Sequence, residues 1–244
     1  GLDQPAWVQF GRYVRGLLHG DFGPSYKFRD FTVTELIADG LPVSLLLGLA
    51  AMALALAVGV PAGIWAALNR GRFADRAVMA LAVAGISIPV FVVAPLLALV
   101  FGIGLGWLPV AGWEPGSARH AVLPVVTLAL PFVAYVARLT RGSLLEVLQS
   151  PFIRTARAKG LAPLAILRRH ALKPTLMPVV SFLGPATAAL LTGSLVVEQV
   201  FGLPGGGRQV VQAEEHALAG AAAHVGGGNA QRRAVVVGRV HGAM

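Results

Sequence analysis

The residues with the most chemical capacity in this chain lie between Arg138 and Lys173, where eight Lys or Arg side chains share the stretch with one acid, Glu146. The densest part is Ser150 to Pro174, SPFIRTARAKGLAPLAILRRHALKP. No catalytic constellation accompanies it. The chain has no Cys, so disulfides and thiolate metal sites are excluded, and it has neither a G-K-S/T phosphate loop nor an H-E-x-x-H pair. Gly193-Ser194 sits deep in an apolar run, but the histidines that could act as its base, His120 and His170, lie in or beside loops. The histidines of the tail have irregular spacing. No catalytic, cofactor-binding or metal-ligating residue is therefore assigned, and no cofactor is expected. The chemistry that remains is docking.

A stretch this basic cannot sit in hydrocarbon. Each Lys or Arg at a helix centre costs roughly 2.5–3.5 kcal/mol on insertion scales, so eight would cost on the order of 20 kcal/mol. The stretch must be a loop outside the bilayer, on the side where positive charge collects. Ser150 suits an N-cap and Pro151 the first helical position, where its missing N–H would be unpaired in any case. A helix over Phe152 to Lys159 is predicted, closed by Gly160 as the left-handed residue after its end. Arg157 and Lys159 give its last turn the favoured sign. Pro163 opens a second helix running through His170 towards Lys173 and Pro174. The small residues Ala156 and Ala158, beside Arg154 and Arg157, are expected on the exposed side, where they would let another surface approach closely.

The elements that must hold this loop are apolar. Of 244 residues 56% are apolar and only 13% charged, against about 25% charged in a soluble domain; mean hydropathy is +0.71. The fold class is all-α and polytopic in a membrane. The pI near 11.2 does not point to nucleic acid, because the basic residues cluster in short loops beside apolar runs, the positive-inside pattern. Residues 1–40 are polar and mixed, with a helical apolar stripe from Trp7 to Leu18, and are read as an external lid or an interfacial helix; Thr34 to Ala38 could form a short helix. Four spans are expected, at 41–68, 77–106, 121–137 and 176–200, with 138–175 as the inside loop. Gly59 and Gly63 in the first span form a small-xxx-small pair that would let helices approach.

The second span is interrupted at Ser87-Ile88-Pro89 and Pro95. Such breaks are tolerated where protein or a wet path satisfies the freed carbonyls, so Ser87 and Pro89 are candidate pathway lining. Thr187, Thr192 and Ser194 in the fourth span join them as small polar residues suited to a polar path or helix contact. Glu198 is the one acid close to a span; it lies about a turn from the helix end and is expected to reach water. The loops 69–76 and 138–175 hold three and eight basic residues and the external loop between them holds one. An even number of spans separates the two basic loops, which places both on the inner face.

Arg154-Thr155-Ala156, three residues and Gly160 resemble the EAA…G loop of ABC-importer permeases. The first two positions depart from Glu-Ala in the manner of the dipeptide/oligopeptide branch, whose loops read RTARAKGL and RHALKP, the strings at Arg154–Leu161 and Arg169–Pro174. Gly20 to Ser25 and Phe201 to Gly205 are similar to that branch too, and the resemblance runs from about Gly1 to Arg208. It implies an ABC type I importer transmembrane domain over 41–205, in the plasma (inner) membrane, where the family normally has six spans. It implies a second permease subunit, cytoplasmic ABC ATPase subunits, an external substrate-binding protein, a peptide substrate and surrounding lipid, with no nucleic acid. Phe152, Arg154, Thr155, Ala156, Arg157, Lys159 and Gly160 would form the coupling loop on the ATPase. Nickel-chelate and glutathione permeases share this loop, and a truncated, non-transporting scaffold is the alternative from another class. Residues 206–244 are an atypical tail without an apolar run of spanning length. The resemblance implies one more spanning helix after this region and an earlier one before Gly1, and the expectation is a reading frame shifted from about Gln212 or a chain otherwise incomplete.

Overall fold

The computed structural model describes residues 4–25, 32–114 and 116–204; the side chains of Leu36, Asp39 and residues 191–195 also lie outside the description. Every regular element among the described residues is helical: α1 Ala6–Leu18, α2 Val33–Leu68, α3 Phe73–Ser87, α4 Val90–Leu97, α5 Ala118–Val147, α6 Pro151–Ala158, α7 Pro163–Ile166 and α8 Leu172–Val200. Two π-helical stretches, Ala98–Gly104 and Leu167–Ala171, follow α4 and α7. The described residues divide into two compact units, one within residues 1–41 and one within residues 42–205. The expected tail, 206–244, lies outside the described residues.

In the first unit, α1 carries the stripe read from the sequence, and Trp7, Phe10, Tyr13 and Leu18 on it are exposed. Gly20 and Gly23 adopt positive φ, and the Asp21 carboxylate accepts the Gly23 N–H. Thr32 and Glu35 then form a capping box. The Glu35 N–H donates to Thr32 Oγ1 at 3.2 Å, and the Thr32 N–H donates to Glu35 Oε2 at 2.8 Å. This box starts a helix that continues for 36 residues. Thr34 to Ala38 is therefore the opening of α2, not a short helix of its own.

In the second unit, α2, α4, α5 and α8 share a core of Leu47, Ala51, Ala94, Leu123, Leu128 and Leu190, with Phe201 and Leu203 folded back into it. A second, smaller core lies at the other end, made by Ala67, Leu144, Ile153, Ala156, Ile166 and Ala171. The small-xxx-small pair does bring two helices together. A Cβ on Gly59 would stand 2.8 Å from the Val133 carbonyl oxygen, and one on Gly63 would stand 2.7 Å from Thr140 Cβ, so α2 and α5 meet backbone to backbone. Large apolar side chains such as Leu81, Phe91 and Ile103 remain exposed, as a surface meant for lipid or partner helices would have them.

Among the described residues two helices, Val33–Leu68 and Ala118–Val147, are long and apolar enough to cross a membrane, or three spans if the bent pair Phe73–Ser87 with Val90–Gly104 counts as one. The second expected span differs most from the reading. α3 ends at Ser87, and Val90–Gly104 leaves it at 103°. Pro89 cannot donate an N–H into the helix before it and sits in extended conformation, so 77–106 is a sharply bent pair and not one kinked rod. The third span, read as 121–137, belongs to a longer helix that carries on past Arg138 and Arg141 to Val147. The fourth, 176–200, lies inside α8. The loop helix opened by Pro163 runs into α8 through the π turns at Leu167–Ala171. Those turns precede Pro174, which has no N–H to offer the carbonyl four residues earlier.

Candidate functional site

The basic loop is a folded body and not a slack connection. Ser150 occupies the N-cap position with extended backbone, and Pro151 is the first residue of α6. The expected side-chain cap is absent, because Ser150 Oγ donates backwards to the Val147 carbonyl at 2.6 Å. At the other end the reading holds in detail. Gly160 has φ +75, its N–H donates to the Arg157 carbonyl at 2.9 Å, and the Leu161 N–H reaches back to the Ala156 carbonyl at 3.3 Å. These are the two hydrogen bonds of a Schellman closure.

The two faces of α6 are sharply different. Ile153 and Ala156 are buried in the small core under the loop, so α6 is clamped to the ends of α2 and α5 and to α7. Phe152, Arg154, Thr155, Arg157, Ala158, Lys159 and Gly160 are exposed, with Phe152 half exposed at 49%. Ala156 is thus a correction. It lies on the inner side, and its small size serves packing within this chain; the outward surface is an aromatic ring among cations. Thr155 spends its hydroxyl on the Pro151 carbonyl four residues back.

The loop is braced from the side by a contact the sequence reading missed. Asp75, at the start of α3 and only 4% exposed, receives both Nε and Nη2 of Arg141, the latter at 2.8 Å, and also the Gly71 N–H at 2.9 Å. The Arg141 guanidinium, and after it the Gly71 N–H, hold the Asp75 carboxyl down at about 2. The pair ties the short loop between α2 and α3 to α5, the helix that leads into α6. Its signal was a single acid among three arginines in a short loop, a pattern that does not name the distant partner.

Of the pathway candidates, Ser87 and Pro89 sit at the break between α3 and α4 and are exposed, and Thr187 is half-buried on α8. No hydrogen bond among the described residues joins them. The side chains of Thr192 and Ser194 lie outside the described residues. Glu198 does not reach water: it is 1% exposed and accepts a hydrogen bond from Ser44 Oγ at 2.6 Å. The Gly202 and Leu203 N–H groups close α8 on the Gln199 and Glu198 carbonyls, and the Gly112 N–H donates to the Phe201 carbonyl. Glu198→Ala is expected to cost about 1–3 kcal/mol in detergent unfolding, the penalty for stranding a buried polar partner, while Glu198→Gln, which keeps an acceptor, should cost clearly less.

A groove of about 420 Å³ opens between α5 and α8, lined by Tyr135, Arg138, Gly142, Ser143 and Glu146 of α5 and by Pro178 of α8. The Tyr135 ring stacks on Phe182 at 4.9 Å, and the Arg138 guanidinium lies 5.5 Å from the Tyr135 ring centre. The helical spacing of Tyr135, Arg138, Gly142 and Glu146 could have pointed to this face.

Residues 59–223 match the family described as "Binding-protein-dependent transport system inner membrane component". The chain is 52% identical over 210 residues to the oligopeptide transport system permease protein OppB of Salmonella typhimurium, covering 86% of this chain and 69% of that protein. It is 50% identical over 206 residues to OppB of Haemophilus influenzae, covering 84% and 67%. To the dipeptide transport system permease protein DppB of Bacillus subtilis it is 45% identical over 211 residues, covering 86% and 68%.

Proposed function

Since the chain belongs to the family of binding-protein-dependent transport system inner membrane components, we propose that it is a multi-pass inner-membrane permease subunit of an ATP-driven peptide importer, coupled through α6 to a separate cytoplasmic ATPase. The peptide assignment follows the relatives, which are named for oligopeptide and dipeptide transport. A second permease subunit completes the path, and an external binding protein delivers the peptide.

The observation that carries the coupling role is the two-faced α6. Its inner face is fixed to this chain's own core by Ile153 and Ala156. Its outer face offers Phe152 with Arg154, Arg157 and Lys159, the kind of aromatic and cationic anchors that dominate protein interfaces. Because the small core joins α6 to α2, α5 and α7, a push on α6 is passed to the membrane helices rather than absorbed by a loose loop. ATP-driven closure of the partner then favours one helix arrangement over another, which is a shift of population and not a new force.

Uptake of a labelled peptide into cells or proteoliposomes tests this. Gly160→Val puts a β-branched residue at positive φ, which L side chains avoid, and should abolish uptake while the protein still inserts. Phe152→Ala should weaken the docking by about 2 kcal/mol, on the order of thirtyfold in affinity. Ala156→Glu would also stop transport, but by breaking the core under the loop. Normal uptake by both Gly160→Val and Phe152→Ala refutes the docking role.

A further inference from the structure

We propose that the groove between α5 and α8 is a subsite for the two charged ends of a short zwitterionic peptide, with Arg138 holding the C-terminal carboxylate and Glu146 the N-terminal ammonium. This rests on the peptide-importer reading and adds a place on this chain where the peptide is recognised.

Three observations carry it. First, the two charged side chains of the groove carry no countercharge among the described residues. Arg138 lies over the Tyr135 ring and is exposed, Glu146 is exposed, and among the described residues neither forms an ion pair. By contrast Arg141, one turn from Arg138, is fully engaged by Asp75. Second, the charges have a fixed spacing. Arg138 and Glu146 stand eight positions apart on α5, a helical rise of about 12 Å at 1.5 Å per residue. An extended chain advances ~3.3–3.6 Å per residue, so a peptide of about three to four residues carries its terminal charges at that separation. Third, the space fits. The groove volume of about 420 Å³ falls in the range of roughly 300–1,000 Å³ typical of small-molecule sites. Its floor is open at Gly142, where an added Cβ would meet nothing within 4 Å.

The chemistry accounts for a site that accepts many sequences. Arg presents a planar fork that pairs with a carboxylate through two hydrogen bonds, and Glu146 offers a carboxylate to an ammonium. Neither contact reads a side chain. Leu139 and Pro178, which also line the groove, supply apolar surface beside the peptide backbone, and Ser143 a hydroxyl. Both charged groups are exposed, so the binding is weak, as a subsite at the releasing end of a path must be.

The test uses the whole importer in nanodiscs, without its binding protein, titrated with trialanine and with the same peptide acetylated or amidated. Trialanine is expected to bind in the millimolar range, and blocking either end should weaken it at least tenfold. Arg138→Gln should remove the response to amidation only, and Glu146→Gln the response to acetylation only. Exchanging the two, Arg138→Glu with Glu146→Arg, should restore binding, since the peptide can lie the other way round. Gly142→Met should fill the groove and abolish binding without loss of folding. Equal binding of capped and free trialanine, no recovery on charge exchange, or cross-links showing the groove filled by the second permease subunit would each overturn the proposal. Import of peptide is measured with the same importer reconstituted in proteoliposomes together with its binding protein. If the wild-type importer carries peptide but the groove ignores its ends, this subsite alone fails; if it carries no peptide, the functional reading itself fails.

Discussion

Gly63→Leu should leave a protein that no longer holds its fold. At this position the Cβ of any residue would press on the Ala137 carbonyl and stand 2.7 Å from Thr140 Cβ and 3.1 Å from the Arg141 N. Two of those three atoms are backbone, so the neighbours cannot turn aside; α2 and α5 would have to separate. Overpacking in a well-packed core costs about 1–3 kcal/mol and occasionally more, and a clash against backbone on two successive helical turns belongs at or above the top of that range. Even Gly63→Ala should be felt. Gly184, where an added Cβ meets nothing within 4 Å, gives the control: Gly184→Ala should be neutral or stabilise by about 0.5–1 kcal/mol. Unfolding in detergent, followed by helical content and by size-exclusion profile, reads both. Near-equal stability of Gly63→Leu and Gly184→Ala would mean that α2 and α5 do not approach as described.

The second large effect should come from the Asp75–Arg141 pair. Asp75→Ala leaves the Arg141 guanidinium without its acceptors at a site where the Arg side chain is 26% exposed. Removing one partner of a fully buried pair costs about 3–5 kcal/mol; partial access of water to Arg141 places this case at or below the low end, about 2–3 kcal/mol. Asp75→Asn keeps acceptor oxygen and should cost less. The double change of Asp75 and Arg141 to Ala should cost less than the sum of the singles, since they break one interaction. The pH dependence has a definite sign. The folded Asp75 carboxyl is lowered to about 2 by Arg141 and Gly71, whereas a free aspartate titrates near ~3.9. Its contribution is therefore complete above about pH 4 and is lost as the pH falls through about 2. Wild-type stability should decline across that window, and Asp75→Ala should lack this component. A decline of the same size in Asp75→Ala would assign the acid loss to other groups.

The parts of the molecule legible in the sequence are those set by local chemistry. Gly160 had to take a positive φ because a basic helix ended there, and it does. Gly59 and Gly63 marked a close approach because two residues without side chains, one turn apart, leave a flat backbone surface. The helical class followed from composition. What failed depended on contacts far along the chain. Ala156 was placed outward because it neighbours Arg154 and Arg157, but α6 turns toward the core that Leu144 and Ile166 supply, and no local pattern names them. Glu198 was placed in water because it stands near a helix end; the Ser44 hydroxyl that meets its carboxylate comes from 154 positions away. Pro89 announced a break without its angle, and Asp75 announced a charge without its partner. The groove was missed because Arg138 was counted among the basic residues of the loop and Glu146 as its one acid, and their common helical face was not weighed.

The proposed coupling of α6 to a cytoplasmic ATPase is tested most directly by co-purification. The chain should be purified from membranes together with the ATPase subunit of its importer, as wild type, as Gly160→Val and as the surface double variant Arg154→Glu with Arg157→Glu. The wild type is expected to retain the ATPase, and both variants to lose it while keeping the same helical content and membrane insertion. ATPase retained at wild-type level by the double variant and by Gly160→Val would contradict the claim that α6 is where ATP hydrolysis is coupled to this protein.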